Sequence, residues 1–420
     1  MNRDILIPSV KTDIPGPNAK RWINYHMRFA SQATYEDTFV WDRSKPATGP
    51  WAHDPDGNLW LDFAGHVAVN AIGYNHPRLV EAGKILGGID PDRYAGTDFV
   101  GAYGPYPNWS EDLPTPSALH DELIGITPGY LTKAFLSNSG AEAVENAIKL
   151  AYRYKKNYGY GICFNGAFHG RTLGALSLNR SKQVQRRWYP EIPNIISLDY
   201  NDLDWYRKLR VGDSEIAFVI VEPLQGEGGY VVPSKEWMQS LSAFTRNNDI
   251  PLIIDEIQSG LGRTGTWWCF DYYNIFPDIL TSAKALRIGA TIANEKYFPD
   301  EPGRISSTWG EGNALSSAMG ALTIRVIRDE NLLDNAYDMG LYLRGRLEDM
   351  GFENVRGKGL MSAFDLDTQG LRNQLTYEAA KKGVLLMGCG IKSVRLLPPL
   401  NVTKREIEIC LNILEDIKNC

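Results

Sequence analysis

The sequence predicts an α/β protein in which a mostly parallel sheet is flanked by helices and joined to a smaller α+β domain. Short apolar runs alternate with helical segments between about residues 57 and 300, and strands buried on both faces of a parallel sheet have this apolar character. The pattern changes after "YFPDEPGR", where longer helical segments follow. With 420 residues, the chain is long enough for one large domain and a smaller one.

The first part of the chain divides into an N-terminal segment and a large domain. Residues 1–55 are rich in aromatic, proline and polar residues, and we expect them to pack with the smaller domain. Residues 56–300 are expected to form the large domain, which begins with "GNLWLDFAGHVAVNAIGYNHP", a stretch that alternates like a strand or hairpin. A helix is predicted over "SGAEAVENAIKLAYRYKKNYG", because its apolar residues recur at helical spacing. The strands predicted after it are "GICFNGAFHG", "NIISL", "EIAFVIVEP", "PLIIDE" and "DILTSAKAL".

Residues 301–420 are predicted to form the smaller domain. One long helical stretch runs from about Ala314 to Met350. It is followed by two strand-like segments and a final helix, which are "GKGLMSAFDL", "KSVRLLPPLNVT" and "KREIEICLNILEDIKN". This mixture of elements is typical of an α+β domain.

The composition argues against several classes of protein. A net charge of -6 gives no basis for binding nucleic acid or an anionic membrane surface. The five cysteines are scattered and form no CxxC pair, which favours reduced thiols over disulfides or a metal site. The sequence has no apolar run of about 18 residues, and its N-terminus lacks the apolar core of a signal peptide. We therefore expect a cytoplasmic protein with no metal, membrane or nucleic-acid partner.

Acidic residues end two of the predicted strands. Glu222 closes "AFVIVE", while Asp255 and Glu256 close "PLIIDE". Ligands of open α/β sheets bind beyond the carboxyl ends of the strands, so both acidic ends are expected to face one crevice. Asp255 could instead be an ordinary capping or surface aspartate. It could also be the magnesium-binding acid of an ATPase, but the sequence lacks the GxxxxGK[ST] string that such an enzyme requires.

Lys284 gives the strand-end acid a specific interpretation. It lies 29 residues after Asp255, in the small and apolar setting of "DILTSAKALRIG". An amine acts as a nucleophile only when it is partly deprotonated, and desolvation favours that state. Alone, Lys284 would be an ordinary solvated lysine. Together, the two residues match the needs of pyridoxal phosphate, which binds to a lysine and places its ring nitrogen against an acid.

Two further motifs could bind this cofactor and a substrate. "LSNSGAEAVENA" presents Ser139, Gly140 and Ala141 where a helix begins, and helix N-termini favour phosphate. The alternative is that Ser139 is a plain N-cap with Glu142 in the first turn. Likewise, "NGAFHGRT" could be a simple turn, or it could stack Phe168 on a ring and offer Arg171 to a carboxylate.

Several motifs together resemble a known family. The strings "SNSGAEAVENA", "AFHGRT", "VEPLQGEGG", "DEIQSGLGRTG", "AK", "STWGEGN" and "VRLLPPL" are similar to those of class III (subgroup II) aminotransferases, and they occur in the family's order. The family consists of pyridoxal-phosphate enzymes of fold type I. The resemblance extends from about Gly57 to the C-terminus.

The resemblance implies roles for the matching residues. Lys284 would bind the cofactor and move the proton, Asp255 would pair with the ring nitrogen, and Gln258 would reach the ring hydroxyl. Thr308 would reach the phosphate of the partner subunit, which implies a homodimer with shared active sites. The complete cofactor-binding set is Ser139, Gly140, Ala141, Phe168, Glu222, Asp255, Gln258, Lys284 and Thr308.

The resemblance also implies a substrate class. Arg171 and Arg395 would each clamp a carboxylate, and His66 would line the substrate pocket. A terminal-amine donor has no carboxylate on its reacting carbon, so Arg395 would need another anion. Glu227 would pair with Arg395 and swing aside for glutamate or 2-oxoglutarate, although it could also be a solvated loop acid.

The expected reaction moves the terminal amino group of lysine, ornithine or 4-aminobutyrate to 2-oxoglutarate by a ping-pong mechanism. The short segment "KALRIGATIAN" and the motifs "STWGEGN" and "GKGLMSAF" are most similar to lysine 6-aminotransferases, although "STWGEGN" has one residue more than the family's usual motif. Alternatives are an amino-acid racemase or aminomutase of the same fold, and a catalytically silent cofactor-binding protein.

Overall fold

The computed structural model describes residues 1–31, 39–104, 112–156, 159–305 and 309–419. These residues form two compact units, a small unit of residues 1–76 and 334–420 and a large unit of residues 77–333. The sequence predicted domain boundaries after residues 55 and 300, and this division of the chain into domains stays a prediction. Within the described ranges, no helix is long and apolar enough to cross a membrane.

The strands and helices are numbered in chain order. The strands are β1 (Trp51–His53), β2 (Leu59–Asp62), β3 (Lys133–Ser137), β4 (Tyr160–Phe164), β5 (Ile195–Leu198), β6 (Ile216–Val221), β7 (Leu252–Asp255), β8 (Ile279–Ser282), β9 (Gly289–Ala293), β10 (Glu353–Lys358), β11 (Met361–Asp365), β12 (Val384–Leu385), β13 (Met387–Cys389) and β14 (Ser393–Leu396). The helices are α1 (Pro17–Met27), α2 (Gly65–Ala68), α3 (Pro77–Leu86), α4 (Pro116–Gly125), α5 (Gly140–Lys155), α6 (Leu173–Ser177), α7 (Lys235–Asn247), α8 (Ala314–Asp329), α9 (Leu332–Asp349), α10 (Gln369–Lys381) and α11 (Lys404–Lys418).

The large unit is built on a seven-stranded sheet with the order β3-β9-β8-β7-β6-β4-β5. Strand β9 runs antiparallel to β3 and β8, and the neighbouring pairs from β8 to β5 are parallel. The apolar face of α5 packs on this sheet, where Val144 and Ile148 join Phe218 and Ile253 in one buried cluster. The mostly parallel sheet flanked by helices is therefore confirmed.

Two features of the elements differ from the prediction. Strands β3 and β9 were not predicted, since "KAFLS" and "GATIA" lie directly beside motifs that were interpreted as loops. The long helical stretch expected from about Ala314 to Met350 is helical but is divided into two helices, since α8 ends at Asp329 and α9 begins at Leu332. Asn331 between them has a positive φ of 51°, a left-handed conformation that interrupts a right-handed helix.

The small unit contains two sheets, with the orders β1-β2-β12 and β10-β11-β14-β13. Between β2 and the following loop, α2 is a left-handed turn in which Gly65, His66, Val67 and Ala68 all have φ between 48° and 72°. Gly65 is required here, since a Cβ at this position would lie 2.3 Å from Leu397 O. Left-handed backbone costs about 1–2 kcal/mol per non-glycine residue, so the turn is strained.

Candidate active site

The predicted functional residues of the large unit follow the ends of parallel strands. Strands β4, β6, β7 and β8 run in the same direction, so their carboxyl ends meet at one edge of the sheet. The loops after these strands carry Phe168 and Arg171, then Glu222 and Glu227, then Gln258, and finally Lys284.

Asp255, the last residue of β7, accepts three hydrogen bonds. Its Oδ2 lies 2.7 Å from His169 Nδ1, and its Oδ1 accepts bonds from Ile257 N at 3.0 Å and Thr281 Oγ1 at 3.2 Å. Asp255 is only 4% exposed, and these donors stabilise a negative charge where water has little access. Because a carboxylate only accepts hydrogen bonds, the Nδ1 atom of His169 carries a proton.

Two other strand-end acids are buried and hold loops together. Glu222 accepts hydrogen bonds from Phe168 N at 3.0 Å and Gly226 N at 2.8 Å, and burial raises its pKa to about 7. Glu256 accepts hydrogen bonds from Ser259 Oγ at 2.5 Å and Phe270 N at 2.8 Å, and burial raises its pKa to about 8. Both carboxylates therefore tie the loops at this edge of the sheet to the strands.

Lys284 begins a short 3-10 turn, Lys284–Leu286, after β8. It is half-buried between the buried residues Ala283 and Ala285, and its backbone is left-handed with φ of 45°. Its carbonyl oxygen accepts a hydrogen bond from Arg287 N at 2.9 Å. A left-handed backbone is uncommon at residues other than glycine and clusters at functional sites.

The start of α5 has the geometry of an anion site and of a capped helix at once. Ser139 is the N-cap, and its Oγ accepts a hydrogen bond from Glu142 N at 3.3 Å, as the alternative interpretation predicted. Ser139 is nevertheless exposed, and the first residues of the helix are half-buried. Two glycines approach closely, since a Cβ on Gly170 would lie 2.7 Å from Ala141 Cβ and one on Gly289 would lie 2.2 Å from Ser139 O. The backbone amides at this helix start can bind a phosphate.

Gln258 supplies a further sign of a ligand. Within the described part of the chain, its buried Oε1 atom has no hydrogen-bond partner. A buried acceptor of this kind is costly unless a donor reaches it. The ring hydroxyl of pyridoxal phosphate is such a donor, so Gln258, the Asp255 carboxylate and the start of α5 together fit this cofactor.

The predicted substrate residues lie in both units. Arg171 is exposed in the loop after β4, and Glu227 Oε2 lies 3.1 Å from Lys182 Nζ. In the small unit, Arg395 is buried on β14, and His66 Nε2 lies 2.7 Å from the hydroxyl of Tyr74, which donates to Asp62 Oδ2 at 2.9 Å. Thr308 lies outside the described residues.

Three residues that contact Asp255 or Glu227 were not assigned from the sequence. His169 lies inside the quoted motif "AFHGRT", which was the available signal for it. Thr281 faces Asp255 across the β7–β8 pair, and Lys182 reaches Glu227 from another loop. These two contacts depend on strand register and loop path, which have no local sequence pattern.

Comparison with known families decides the identity of the fold. A family model described as "Aminotransferase class-III" matches residues 32–417. The chain belongs to the class III aminotransferases. This aminotransferase is accordingly a pyridoxal-phosphate-dependent enzyme of fold type I, as the motifs predicted.

Its relatives act on several amines. The enzyme is 33% identical over 379 residues to the acetylornithine aminotransferase of Aquifex aeolicus. This alignment covers 88% of this chain and 95% of the relative. It is 32% identical over 404 residues to the putrescine aminotransferase of Pectobacterium atrosepticum, with coverage of 90% and 81%.

Solved structures agree with this assignment. The lysine aminotransferase of M. tuberculosis matches at a TM-score of 0.83 and 25% identity, covering 95% of this chain and 98% of the neighbour. An ornithine aminotransferase from Toxoplasma gondii, whose active site is partly occupied by pyridoxal phosphate, matches at a TM-score of 0.81 and 25% identity, with coverage of 94% and 93%.

Proposed function

We propose that this class III aminotransferase transfers the terminal amino group of an ω-amine, with lysine as the first choice, to 2-oxoglutarate by a ping-pong mechanism. Ornithine and 4-aminobutyrate are the other donors expected. The names of the relatives support this class, because acetylornithine, putrescine, lysine and ornithine all carry a primary amine on a terminal carbon.

The contact between Glu227 and Lys182 is the observation that carries the proposal. In a ping-pong mechanism, Arg395 would bind the α-carboxylate of glutamate, but a terminal amine brings no such group to the same place. Glu227 would neutralise Arg395 while the amine reacts, since an unpaired buried arginine is costly. Lys182, which is 47% exposed, gives Glu227 a second cation to bind when Arg395 binds the keto acid.

The chain's own groups have distinct roles in this scheme. When bound, pyridoxal phosphate supplies a carbonyl that binds amines covalently and a ring that accepts electrons released at the substrate carbon. Asp255, supported by His169, would keep the ring nitrogen protonated, and Gln258 would accept the ring hydroxyl. Lys284 Nζ would bind the cofactor and carry the proton at the reacting carbon.

Other parts of the proposal concern the assembly and the compartment. We propose a homodimer in which Thr308 completes the phosphate site of the partner subunit. Phe168 would stack on the ring, while Arg171 would bind the donor's distal carboxylate and His66 would line its pocket. Buried thiols such as Cys163 and Cys410 are compatible with the cytoplasm expected from the scattered cysteines.

A donor panel tests the proposed function. The purified holoenzyme would be mixed, without a keto acid, with L-lysine, L-ornithine, 4-aminobutyrate, putrescine, N-acetylornithine and hydrophobic L- and D-amino acids. Loss of the cofactor's visible absorbance with one ω-amine, and its recovery on adding 2-oxoglutarate, is expected. Inversion of an α-amino acid without lasting loss of absorbance would instead assign a racemase.

A further inference from the structure

Glu311 lies in "WGEGN" (residues 309–313), the segment that directly follows Thr308 and is one residue longer than the motif it resembles. Its Oε1 accepts a hydrogen bond from Leu136 N at 2.5 Å, and its Oε2 lies 3.4 Å from His120 Nε2. The Glu311 side chain is only 14% exposed. One half-enclosed carboxylate thus connects this segment to β3 and to α4.

The hydrogen bond from Leu136 N to Glu311 satisfies a backbone amide of an edge strand. Strand β3 lies at one edge of the seven-stranded sheet, where Leu136 pairs with Ala290 of β9. Amides on the outer side of an edge strand have no neighbouring strand to accept them, and Glu311 supplies the acceptor here. The chain continues from Leu136 through Ser137 to the helix start at Ser139, so this bond fixes the strand end that leads into the proposed phosphate site.

Close backbone packing reinforces the same connection. A Cβ on Gly310 would lie 2.3 Å from Ser137 Cα, and a Cβ on Gly96 would lie 2.3 Å from Glu311 C. Tyr94 N also donates a hydrogen bond to Gly312 O at 3.0 Å. The segment is therefore packed directly against the end of β3, with little room to shift.

His120 places an imidazole ring beside Glu311. Its Nδ1 lies 2.9 Å from Pro116 O, and because a carbonyl only accepts, this nitrogen carries a proton. Its other nitrogen faces the Glu311 carboxylate, an arrangement that is favourable when His120 is an imidazolium. Burial opposes that charge, but Glu311 and the Pro116 carbonyl outweigh it and raise the pKa of His120.

We propose that Glu311 is a positioning residue for the phosphate of the cofactor. It holds the end of β3 through Leu136, is itself oriented by His120, and joins residues 309–313 to the proposed phosphate site. Glu311 acts through the backbone that precedes Ser139–Ala141 and does not touch the cofactor. This inference rests on the proposed assignment of the phosphate site to the start of α5.

Cofactor binding to the apoenzyme tests the proposal. In E311A, loss of the acceptor for the Leu136 amide should weaken the affinity for pyridoxal phosphate about tenfold, because an unsatisfied amide next to the site is costly and the hydrogen bond no longer fixes the end of β3. The melting temperature of the apoenzyme should stay within about 2 °C of the wild type, while the ³¹P resonance of the bound phosphate moves. E311Q keeps an oxygen for Leu136 N and should restore most of the affinity.

A matched control lies at the other end of the same strand. Glu295 is 75% exposed and lies 3.9 Å from Lys133, the first residue of β3. E295A should bind pyridoxal phosphate like the wild type. If E295A weakens binding as much as E311A does, the effect is not specific to Glu311 and the proposal is overturned.

Other outcomes would also overturn it. One is that E311A binds pyridoxal phosphate with wild-type affinity. Another is that E311A loses both this affinity and apoenzyme stability, and that E311Q does not restore the affinity. If E311A does not fold, H120F removes the imidazole that orients Glu311 but leaves the Leu136 bond, and wild-type affinity in H120F would then overturn the proposal. The donor panel is independent of this titration. If no ω-amine reacts in the panel while E311A alone binds the cofactor weakly, the proposed function is refuted and this inference is retained.

Discussion

At the scale of single residues, Asp255 gathers donors from three places in the chain. The His169 ring comes from the loop after β4, Thr281 comes from β8, and Ile257 N lies two residues further along. A carboxylate held by three donors has its orientation fixed before any ligand arrives. The position of its negative charge therefore depends on neighbours as well as on Asp255 itself.

Replacing His169 by phenylalanine should lower kcat/KM by about 10- to 100-fold. The new ring has a similar shape but cannot donate to the buried carboxylate, and such a loss costs about 1–3 kcal/mol. Steady-state kinetics with the best donor measure the effect. Thr281→Val is the matched control, because it removes the longer of the two side-chain hydrogen bonds to Asp255 and should lower kcat/KM less. Equal kcat/KM in H169F and the wild type would contradict the role of His169.

Replacing Lys182 by methionine should raise the KM for 2-oxoglutarate about two- to fivefold, the range expected for a partly exposed ion pair. Under the proposed function, the loss of Lys182 would leave Glu227 without the second cation that competes with Arg395 for it. The rate of the half-reaction with the amine donor, measured by stopped flow without keto acid, should not change. Lys182→Arg retains the cation and should behave like the wild type, whereas an equal effect on both half-reactions would argue against a role in keto-acid binding.

The sequence predicted some of these residues for clear physical reasons. Asp255 and Lys284 were predicted because a charged residue at or just after the end of an apolar strand is unusual wherever it occurs. Lys182 was not found, because a lysine in a polar loop has no local mark of its partner. Thr281 was not found either, since a one-residue change in register would turn its hydroxyl away from Asp255.

At the scale of elements, the start of β9 sets the position of the start of α5. Replacing Gly289 by alanine should weaken binding of pyridoxal phosphate to the apoenzyme, because the added Cβ would lie 2.2 Å from Ser139 O and push that backbone away. Gly83→Ala on α3 is the control, since nothing lies within 4 Å of its added Cβ. A titration that finds equal affinity in the G289A and G83A variants would show that this close approach is unimportant.

The stability of the folded protein should depend on pH through Glu256, in the loop after β7. Burial raises the pKa of Glu256 to about 8, above the ordinary value of 4.5 expected in the unfolded chain. The folded protein therefore holds this proton more tightly, and its contribution to stability is complete below about pH 4.5 and is lost as the pH rises toward 8.

Replacing Glu256 by glutamine should remove that contribution. Glutamine can accept from Phe270 N and donate to Ser259 Oγ, so it fits the same site without a charge. Thermal unfolding should show E256Q gaining stability over the wild type as the pH rises from 5 to 8, by at most about 1.4 kcal/mol per pH unit. The exposed Glu301→Gln is the control, and a gain of the same size there would contradict the assignment.

The success of the fold prediction also differed between elements. Strands β4 to β8 are apolar, and all except the half-buried β5 are largely buried, so composition alone indicated them. Strand β3 begins with an exposed residue and only its last two residues are buried, so it lacks that pattern. Strand β9 is fully buried, but it directly follows the shortened turn after Lys284 and was included in that turn. The break at Asn331 was missed because the flanking residues are good helix formers and a single left-handed residue leaves no periodic signal.

At the scale of the whole molecule, the proposed homodimer with shared sites makes a prediction about mixed subunits. K284A and T308A homodimers should each have little activity, since one lacks the lysine and the other lacks the residue that completes its partner's site. Unfolding and refolding the two together should form heterodimers in which one of the two sites is intact, and part of the activity should return. No recovery, with heterodimers demonstrated by mass spectrometry of tagged subunits, would argue that Thr308 serves its own subunit.

The left-handed turn at Gly65–Ala68 limits how this enzyme could be redesigned. His66 would be a natural target for directed evolution of the donor range, but its backbone has φ of 48° and is joined to a glycine that packs against Leu397 O. Glycine, asparagine, aspartate and histidine adopt that conformation most readily, whereas other side chains add strain of about 1–2 kcal/mol. Most variants in a saturation library at position 66 should therefore be less stable than the wild type, and the most stable ones should come from this small set of amino acids.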